Sequence, residues 1–307
     1  MTTRSPHDSV TDPALETPGA LPRIDTTVAH PARRYNYWLG GKDHFAADRE
    51  SGDLIAATFP GVREAAQQNR AFVRRAVTFL AGTADIRQFI DLGVGIPLPP
   101  NTHETVQEID PTGRVVYVDN DPIVLTHARA LLTSHPKGKT AYLDADLRDP
   151  ASILHHPDLR GTLDLRQPVG LLLAAVLHFL SDDEATHAVH ELLRALAPGS
   201  YVVLSHGTTD FWPADRAVLV PGLQRSTETP YRPRTGRQIA GFVAGLQLVD
   251  ADPAVPEPAA STTTLIEDDG SQLVSVFRWR PDGTDAAQPR DDEVACYGVV
   301  ARTIATG

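Results

Sequence analysis

Apolar and polar positions follow a repeating order along the middle of this chain. Short, nearly continuous apolar runs at 88–92, 114–118, 140–143, 169–175 and 201–206 alternate with stretches whose apolar positions recur every three or four residues. The runs read as buried parallel strands and the stretches as amphipathic helices. Helix starts are written between them: Asn101 with Glu104, Asp121-Pro122, Asp149-Pro150, and Ser181 with Glu184. In the first of these helices Thr102, Val106 and Ile109 share one face; the last buries Ala185, Val189, Leu192 and Leu196 and stops at Pro198-Gly199. The order from 87 to 206 predicts an α/β domain, Rossmann-like, with a mostly parallel sheet and helices on both faces. A final strand is expected at 294–302. Ahead of the sheet, 62–81 predicts a long helix with the stripe Val62, Ala66, Val73, Ala76 and Leu80. Asn69 falls on that stripe, and a buried amide needs partners.

The strand ends carry the candidate chemistry. The first strand ends in Asp91-Leu92 and breaks into Gly93-Val94-Gly95, where glycines let the backbone turn and approach a ligand. The next ends in Asp119-Asn120-Asp121; Asp119 is placed to accept two ribose hydroxyls, or else caps the following helix. A dinucleotide loop would need a third glycine near the helix, but Leu98 stands there among Pro97, Pro99 and Pro100. No phosphate-loop motif occurs. A ligand with a ribose and no phosphate fits better, and S-adenosylmethionine is such a ligand. At the end of the third strand Asp146 and Leu147 suit an adenine edge, with Asp144 as the alternative and a solvated capping loop as the plain one. Ala174 closes the fourth strand at the same edge.

Arg70 is placed to fork onto a carboxylate of the cofactor, unless it is a surface arginine. His178 and His206 lie just beyond the fourth and fifth strands, where a histidine acts as general base or only shapes the pocket. No histidine pair has metal-ligand spacing near a carboxylate, so no metal is expected. Tyr35, Tyr37 and Lys42 belong to a cluster of aromatic, glycine and charged residues that reads as a lid. The competing reading is a fixed hairpin with Trp38 and Leu39 buried and Lys42 solvated.

Several strings together resemble a known family: Ala32-Arg33-Arg34-Tyr35-Asn36-Tyr37-Trp38-Leu39-Gly40-Gly41-Lys42-Asp43, Asn69-Arg70-Ala71-Phe72, Asp91-Leu92-Gly93-Val94-Gly95-Ile96-Pro97, Val116-Tyr117-Val118-Asp119-Asn120-Asp121-Pro122, Ala175-Val176-Leu177-His178-Phe179 and Arg278-Trp279-Arg280-Pro281. The chain is similar to a bacterial S-adenosyl methyltransferase family long catalogued as a domain of unknown function, within the class I methyltransferases. The resemblance implies a seven-stranded sheet, S-adenosylmethionine as cofactor, and an N-terminal helical lid; it supplies no acceptor. It also strengthens Arg70, since related carboxyl methyltransferases carry a cofactor-binding arginine at a similar distance before the first strand. Val94 and Leu98 depart from the small polar residue and the threonine usual at these positions.

Composition narrows the partners. A net charge of −11 argues against a polyanion, although Arg232, Arg234 and Arg237 offer a local basic patch. The single cysteine, Cys296, excludes an internal disulfide and reads as a small buried strand residue. No signal peptide and no membrane span is written, so a cytoplasmic protein with a small-molecule acceptor is expected. Residues 1–24 read as a disordered tail, 25–82 as a helical cap, and 83–307 as the cofactor-binding domain with an exposed insertion at 250–272. A cofactor-binding sensor without catalysis and a nicotinamide oxidoreductase remain as alternatives. Oligomeric state is not written in the sequence.

Overall fold

The computed structural model describes residues 25–131, 133–213, 230–249, 266, 273–281 and 289–304. Its centre is one sheet of β1 (Gln88–Leu92), β2 (Arg114–Asp119), β3 (Lys139–Asp144), β4 (Gly170–Ala174), β5 (Tyr201–Gly207), β6 (Gln247–Leu248), β7 (Val274–Ser275) and β8 (Cys296–Arg302). The order is β3-β2-β1-β4-β5-β8-β6, with β7 paired to β8 off that path. The first five strands are parallel, and β8 runs antiparallel against β5, β6 and β7. This is the α/β class expected, with a short eighth strand added to the seven in line.

Each central strand sends alternate residues to opposite faces, the period that a pleated strand imposes. Ile90, Leu92, Val116, Val118, Leu171 and Leu173 pack on one side with α6 (Pro150–His155), α7 (Pro157–Thr162), α8 (Asp182–Arg194) and α9 (Gly236–Gly241). Phe89, Val115, Tyr117, Leu172 and Val203 pack on the other with α3 (Val62–Gly82) and α4 (Thr102–Ile109). Between β2 and β3 lies α5 (Pro122–Leu131), entered through Asp121, whose carboxylate accepts from Ile123 N at 2.9 Å. The capping pairs Asn101 with Glu104 and Ser181 with Glu184 both form.

Four expectations change. Phe72, Ala76, Val77 and Leu80 place α3 inside the second core cluster, so the packed cap is α1 (Pro31–Trp38) and α2 (Ala46–Thr58), and α3 belongs to the sheet domain. The stripe on α3 is wide enough to cover a sheet face, which a 25–82 boundary overlooks. Ile109 does not share the buried face of Thr102 and Val106; it is 39% exposed at the last turn of α4. The last strand starts at Cys296, because Val294 ends a short helix, α10 (Asp291–Val294), and Ala295 turns the chain with φ 44°. Arg234 is buried, so only Arg232 and Arg237 remain at the surface of the supposed basic patch.

The tail at 1–24 lies outside the described residues, as does all of 250–272 except Ile266. That one residue is 3% exposed and exchanges backbone hydrogen bonds with Gly245 and Leu246, so an exposed insertion does not describe it. Among the described residues no helix is long and apolar enough to cross a membrane.

Candidate active site

Parallel strands bring their carboxyl ends to one edge, where open α/β sheets form their crevice. A cavity of about 700 Å³ lies there, roofed by α1, α2 and the first turns of α3. Gly93 and Gly95 adopt φ 68° and 66°, in the left-handed region that glycine enters without strain. A Cβ at Gly93 would also stand 2.5 Å from Val176 Cγ2, so its absence lets the β1 and β4 loops touch. At Gly95 the nearest atom, Ala32 Cβ, would be 3.9 Å away; conformation alone requires glycine there.

Asp119 is 7% exposed at the end of β2. Gly95 N donates to its Oδ2 at 2.9 Å and Asp121 N to its Oδ1 at 2.9 Å. Burial raises its pKa, and these two amides pull the other way. A carboxylate has about four lone-pair positions, so two of them are left for a ligand. Asp91 accepts from Thr102 Oγ1 at 2.6 Å, and burial pushes its pKa up to about 6 against the Thr102 bond and the charge of Arg70. Arg70 donates to the Pro100 carbonyl at 3.1 Å, stretching from α3 across the segment after the glycine loop. Asp146 accepts from Arg148 N at 2.9 Å and from Asn120 Nδ2 at 3.2 Å.

Arg70, Asp91, Gly93, Gly95, Asp119, Asn120, Asp146, Leu147 and Ala174 all line this one cavity, and so do Tyr35 and His178. Asp144 does not; it pairs in register with Asp119, one strand end short of the wall. Tyr35 donates to the Ala66 carbonyl at 3.0 Å and accepts from Asn69 Nδ2 at 3.0 Å, which supplies a partner for the buried amide.

Tyr37, Lys42 and His206 lie away from the cavity. Tyr37 lies two residues on from Tyr35, about half a turn round the helix, and bonds to Asp53 at 2.8 Å beneath the Arg63 guanidinium, holding α1 against α2 and α3. Lys42 is exposed at the turn after α1. His206 is fully buried and both ring nitrogens are engaged: Nδ1 lies 2.8 Å from the Gly207 carbonyl, so it carries the proton, and Nε2 accepts from Arg234 Nη1 at 2.9 Å. Burial, with Arg234 adding to it, drops its pKa to about 3, which removes it as a base. Arg234 also donates to the Leu177 and Leu180 carbonyls, at 2.9 and 3.0 Å, fixing the turn that carries His178.

The structure adds residues that sequence patterning did not single out. Phe59, Trp212 and Tyr231 line the cavity beside Phe179. They come from a helix end and from segments without periodicity; the cue was an aromatic side chain where no predicted element needs one. Cys296 also lines the cavity, and burial pushes its thiol up to about 12.

A sequence profile of the S-adenosyl methyltransferase family matches residues 18–257. The chain belongs to that family. A DUF574 family protein from Streptomyces avermitilis MA-4680 is 44% identical, with a TM-score of 0.80 over 92% of this chain and 100% of the other. A candidate methyltransferase from Thermobifida fusca YX is 36% identical, with a TM-score of 0.78 over 95% of this chain and 100% of the other. No curated protein matches the chain. The family is one of S-adenosylmethionine-dependent methyltransferases, which sets aside the nicotinamide oxidoreductase.

Proposed function

We propose that this methyltransferase transfers the methyl group of S-adenosylmethionine to a small-molecule acceptor held under the α1–α2 cap. The observation that carries the reading is Asp119, a nearly buried carboxylate with unused acceptor positions, at the cavity wall beside two left-handed glycines. A cavity of about 700 Å³ fits the roughly 300–1,000 Å³ of small-molecule sites.

The strand order supports a division of the site in this reading. Asp146 and Leu147 at β3 hold the adenine, Asp119 at β2 the ribose hydroxyls, and the Gly93–Gly95 loop with Arg70 the amino-acid end. That run from β3 across β2 and β1 leaves the ends of β4 and β5, with His178, for the acceptor. Bound S-adenosylmethionine supplies an electrophilic methyl on a good leaving group. The protein's contribution is then placement and water exclusion, which needs no catalytic triad. The α1–α2 cap supplies the exclusion. It is tied internally by buried Asp48, which accepts from Arg33 Nε at 3.0 Å, His30 N at 2.9 Å and Phe45 N at 2.8 Å. It meets the sheet domain through His30 Nδ1 against Asp121 at 3.0 Å and Asp43 against His127 at 3.5 Å.

Calorimetry with S-adenosylmethionine, S-adenosylhomocysteine and NAD tests the cofactor site, with binding of the first two expected. Radiolabelled methyl transfer into fractionated cell extract tests the acceptor. Label in the low-molecular-weight fraction supports the reading, and label confined to protein or nucleic acid overturns it.

A further inference from the structure

The cap docks on the turn that carries the ribose carboxylate. His30 caps α1 and lines the cavity with Pro31 and Ala32. Its backbone N donates to buried Asp48 at 2.9 Å, which fixes it within the cap. Its Nδ1 lies 3.0 Å from Asp121 Oδ2 and 3.3 Å from Ala32 N. One ring nitrogen carries either a proton or a lone pair, so it serves one of these partners at a time. Asp121 Oδ2 is sealed from solvent and meets no other donor among the described residues, and a carboxylate oxygen can only accept. The shorter contact and the buried acceptor put the proton on Nδ1, directed at Asp121. Ala32 N lies in the first turn of its helix, where amides have no intrahelical partner in any case.

Asp121 in turn shapes Asp119. Its backbone N donates to Asp119 Oδ1, its Oδ1 accepts from Ile123 N at the start of α5, and Gly95 N donates to Asp119 Oδ2, each at 2.9 Å. Two buried carboxylates therefore stand two residues apart at one strand end. Like charges so placed oppose each other's ionisation. Burial raises the Asp121 pKa, but the His30 bond and charge, followed by the Ile123 amide and Arg33, bring it below its ordinary value. Burial raises that of Asp119 and the Asp121 charge adds to it, while the two amides and His30 pull the other way. With no donor at position 30, one carboxylate would take a proton or turn away. Either change reaches the Asp121 amide that orients Asp119.

We infer that His30 is a positioning residue for the cofactor: its Nδ1–H, delivered by the docked cap, holds Asp121 and through it Asp119 in the geometry that receives the ribose. The inference rests on the reading of Asp119 as the ribose carboxylate and adds to that site a residue from outside the sheet domain. His30 acts through Asp121 and makes or breaks no bond. Its loss should therefore fall on cofactor affinity, with kcat at saturating cofactor changing less.

The test uses the full chain and calorimetry with S-adenosylhomocysteine. Asparagine and aspartate at position 30 both keep an oxygen that caps α1, but only asparagine also places a donor where Nδ1 stands. His30→Asp and His30→Ala should each weaken binding about tenfold, and His30→Asn should stay within about threefold of the unsubstituted protein. A role confined to capping α1 predicts otherwise, with His30→Asp at least as good as His30→Asn. A double-mutant cycle supplies the second measurement. In the Asp119→Ala background His30→Asp should cost less than about twofold, because the residue it acts through is gone. Hydrogen exchange over α1 and α2 accompanies each variant, and His30→Ala carries the comparison if the aspartate variant fails to dock its cap. Equal losses in the two backgrounds overturn the inference, and so does His30→Asp matching His30→Asn in affinity. If Asp119→Ala binds as tightly as the unsubstituted protein, the ribose assignment falls and the inference with it. If Asp119→Ala is weakened and His30→Asp is not, the inference alone falls.

Discussion

The two ends of the cavity are built by different rules. At the β1–β3 end the polar groups are positioned by backbone: Asp119 by the Gly95 and Asp121 amides, Asp91 by Thr102 in the first turn of α4, Asp146 by the Arg148 amide. At the β4–β5 end the walls are side chains from separate parts of the chain, Phe59, Phe179, Trp212 and Tyr231, with His178 Nδ1 and Trp212 Nε1 unsatisfied. The first end is set by strand register and is complete before a ligand arrives. The second is assembled where the cap docks on the strand ends. Damage at the first end should therefore appear as lost cofactor affinity, and damage to the cap as lost local stability.

The largest effect is expected in the cap. Asp48 is fully buried and satisfies Arg33, which is itself 4% exposed. Asp48→Ala leaves that guanidinium without its counter-charge, and removing one partner of a buried pair costs about 3–5 kcal/mol. Hydrogen exchange should show protection lost across α1 and α2 while β1 to β5 keep theirs. Simultaneous loss in the sheet would mean that the cap is not a separate unit, and the contrast between the two ends would collapse.

At the cofactor end, Asp119→Ala should weaken S-adenosylmethionine binding by about 1.5–3 kcal/mol, the range for hydrogen bonds to a charged group. Calorimetry measures this, with circular dichroism to show the fold intact. Unchanged affinity would remove the ribose assignment. The two glycines sharpen the same point. Each substitution to alanine costs about 1–2 kcal/mol of left-handed strain, but only Gly93→Ala adds a clash, with Val176. Thermal unfolding should rank Gly93→Ala below Gly95→Ala; equal melting temperatures would contradict the close approach of the β1 and β4 loops.

The same difference explains what was legible in the sequence. Asp91, Gly93, Gly95, Asp119, Asn120 and Asp146 all end or follow strands that apolar runs announce, so periodicity alone delivers them to one edge. His178 was legible for that reason too. Sequence order could not show that His206, one strand over, turns its nitrogens to Gly207 and Arg234, because inward and outward positions at a strand end depend on register. Tyr37 failed through helical phase: two residues from Tyr35 is about half a turn, which carries it from the cavity to the α2 contact. Phe59 and Trp212 were invisible because nothing periodic marks a helix end or a loop, and their meeting depends on how the cap docks.

A pH experiment separates Asp91 from its neighbours. Its folded-state pKa is raised to about 6 from the ordinary 3.8 of an aspartate, burial being the main cause. The folded protein therefore holds this proton more tightly than the unfolded chain does. The stability it contributes is present in full below pH 3.8 and is lost as pH rises through about 6. Asp91→Asn cannot ionise and should flatten that part of the profile, a difference on the order of 2 kcal/mol in denaturant unfolding between pH 4 and 7. Parallel wild-type and variant profiles would show that Arg70 already cancels the burial cost.

The smallest effect tests how Arg70 divides its work between the Pro100 segment and the cofactor. Its Nη2 donates to the Pro100 carbonyl at 3.1 Å, and its charge faces Asp91, so part of its role is to hold the segment after the glycine loop. If the rest of the guanidinium forks onto the cofactor carboxylate, Arg70→Lys keeps the charge but loses the planar pair of donors. The loss should be about 1 kcal/mol, below the full range for a bond to a charged group because the ammonium keeps the charge and one of the two bonds. It should appear for S-adenosylmethionine and S-adenosylhomocysteine alike and be absent for 5′-methylthioadenosine, which has no amino-acid end. An equal loss for all three would show that Arg70 acts by propping the Pro100 segment, and would make the glycine loop, not the guanidinium, the anchor of the amino-acid end.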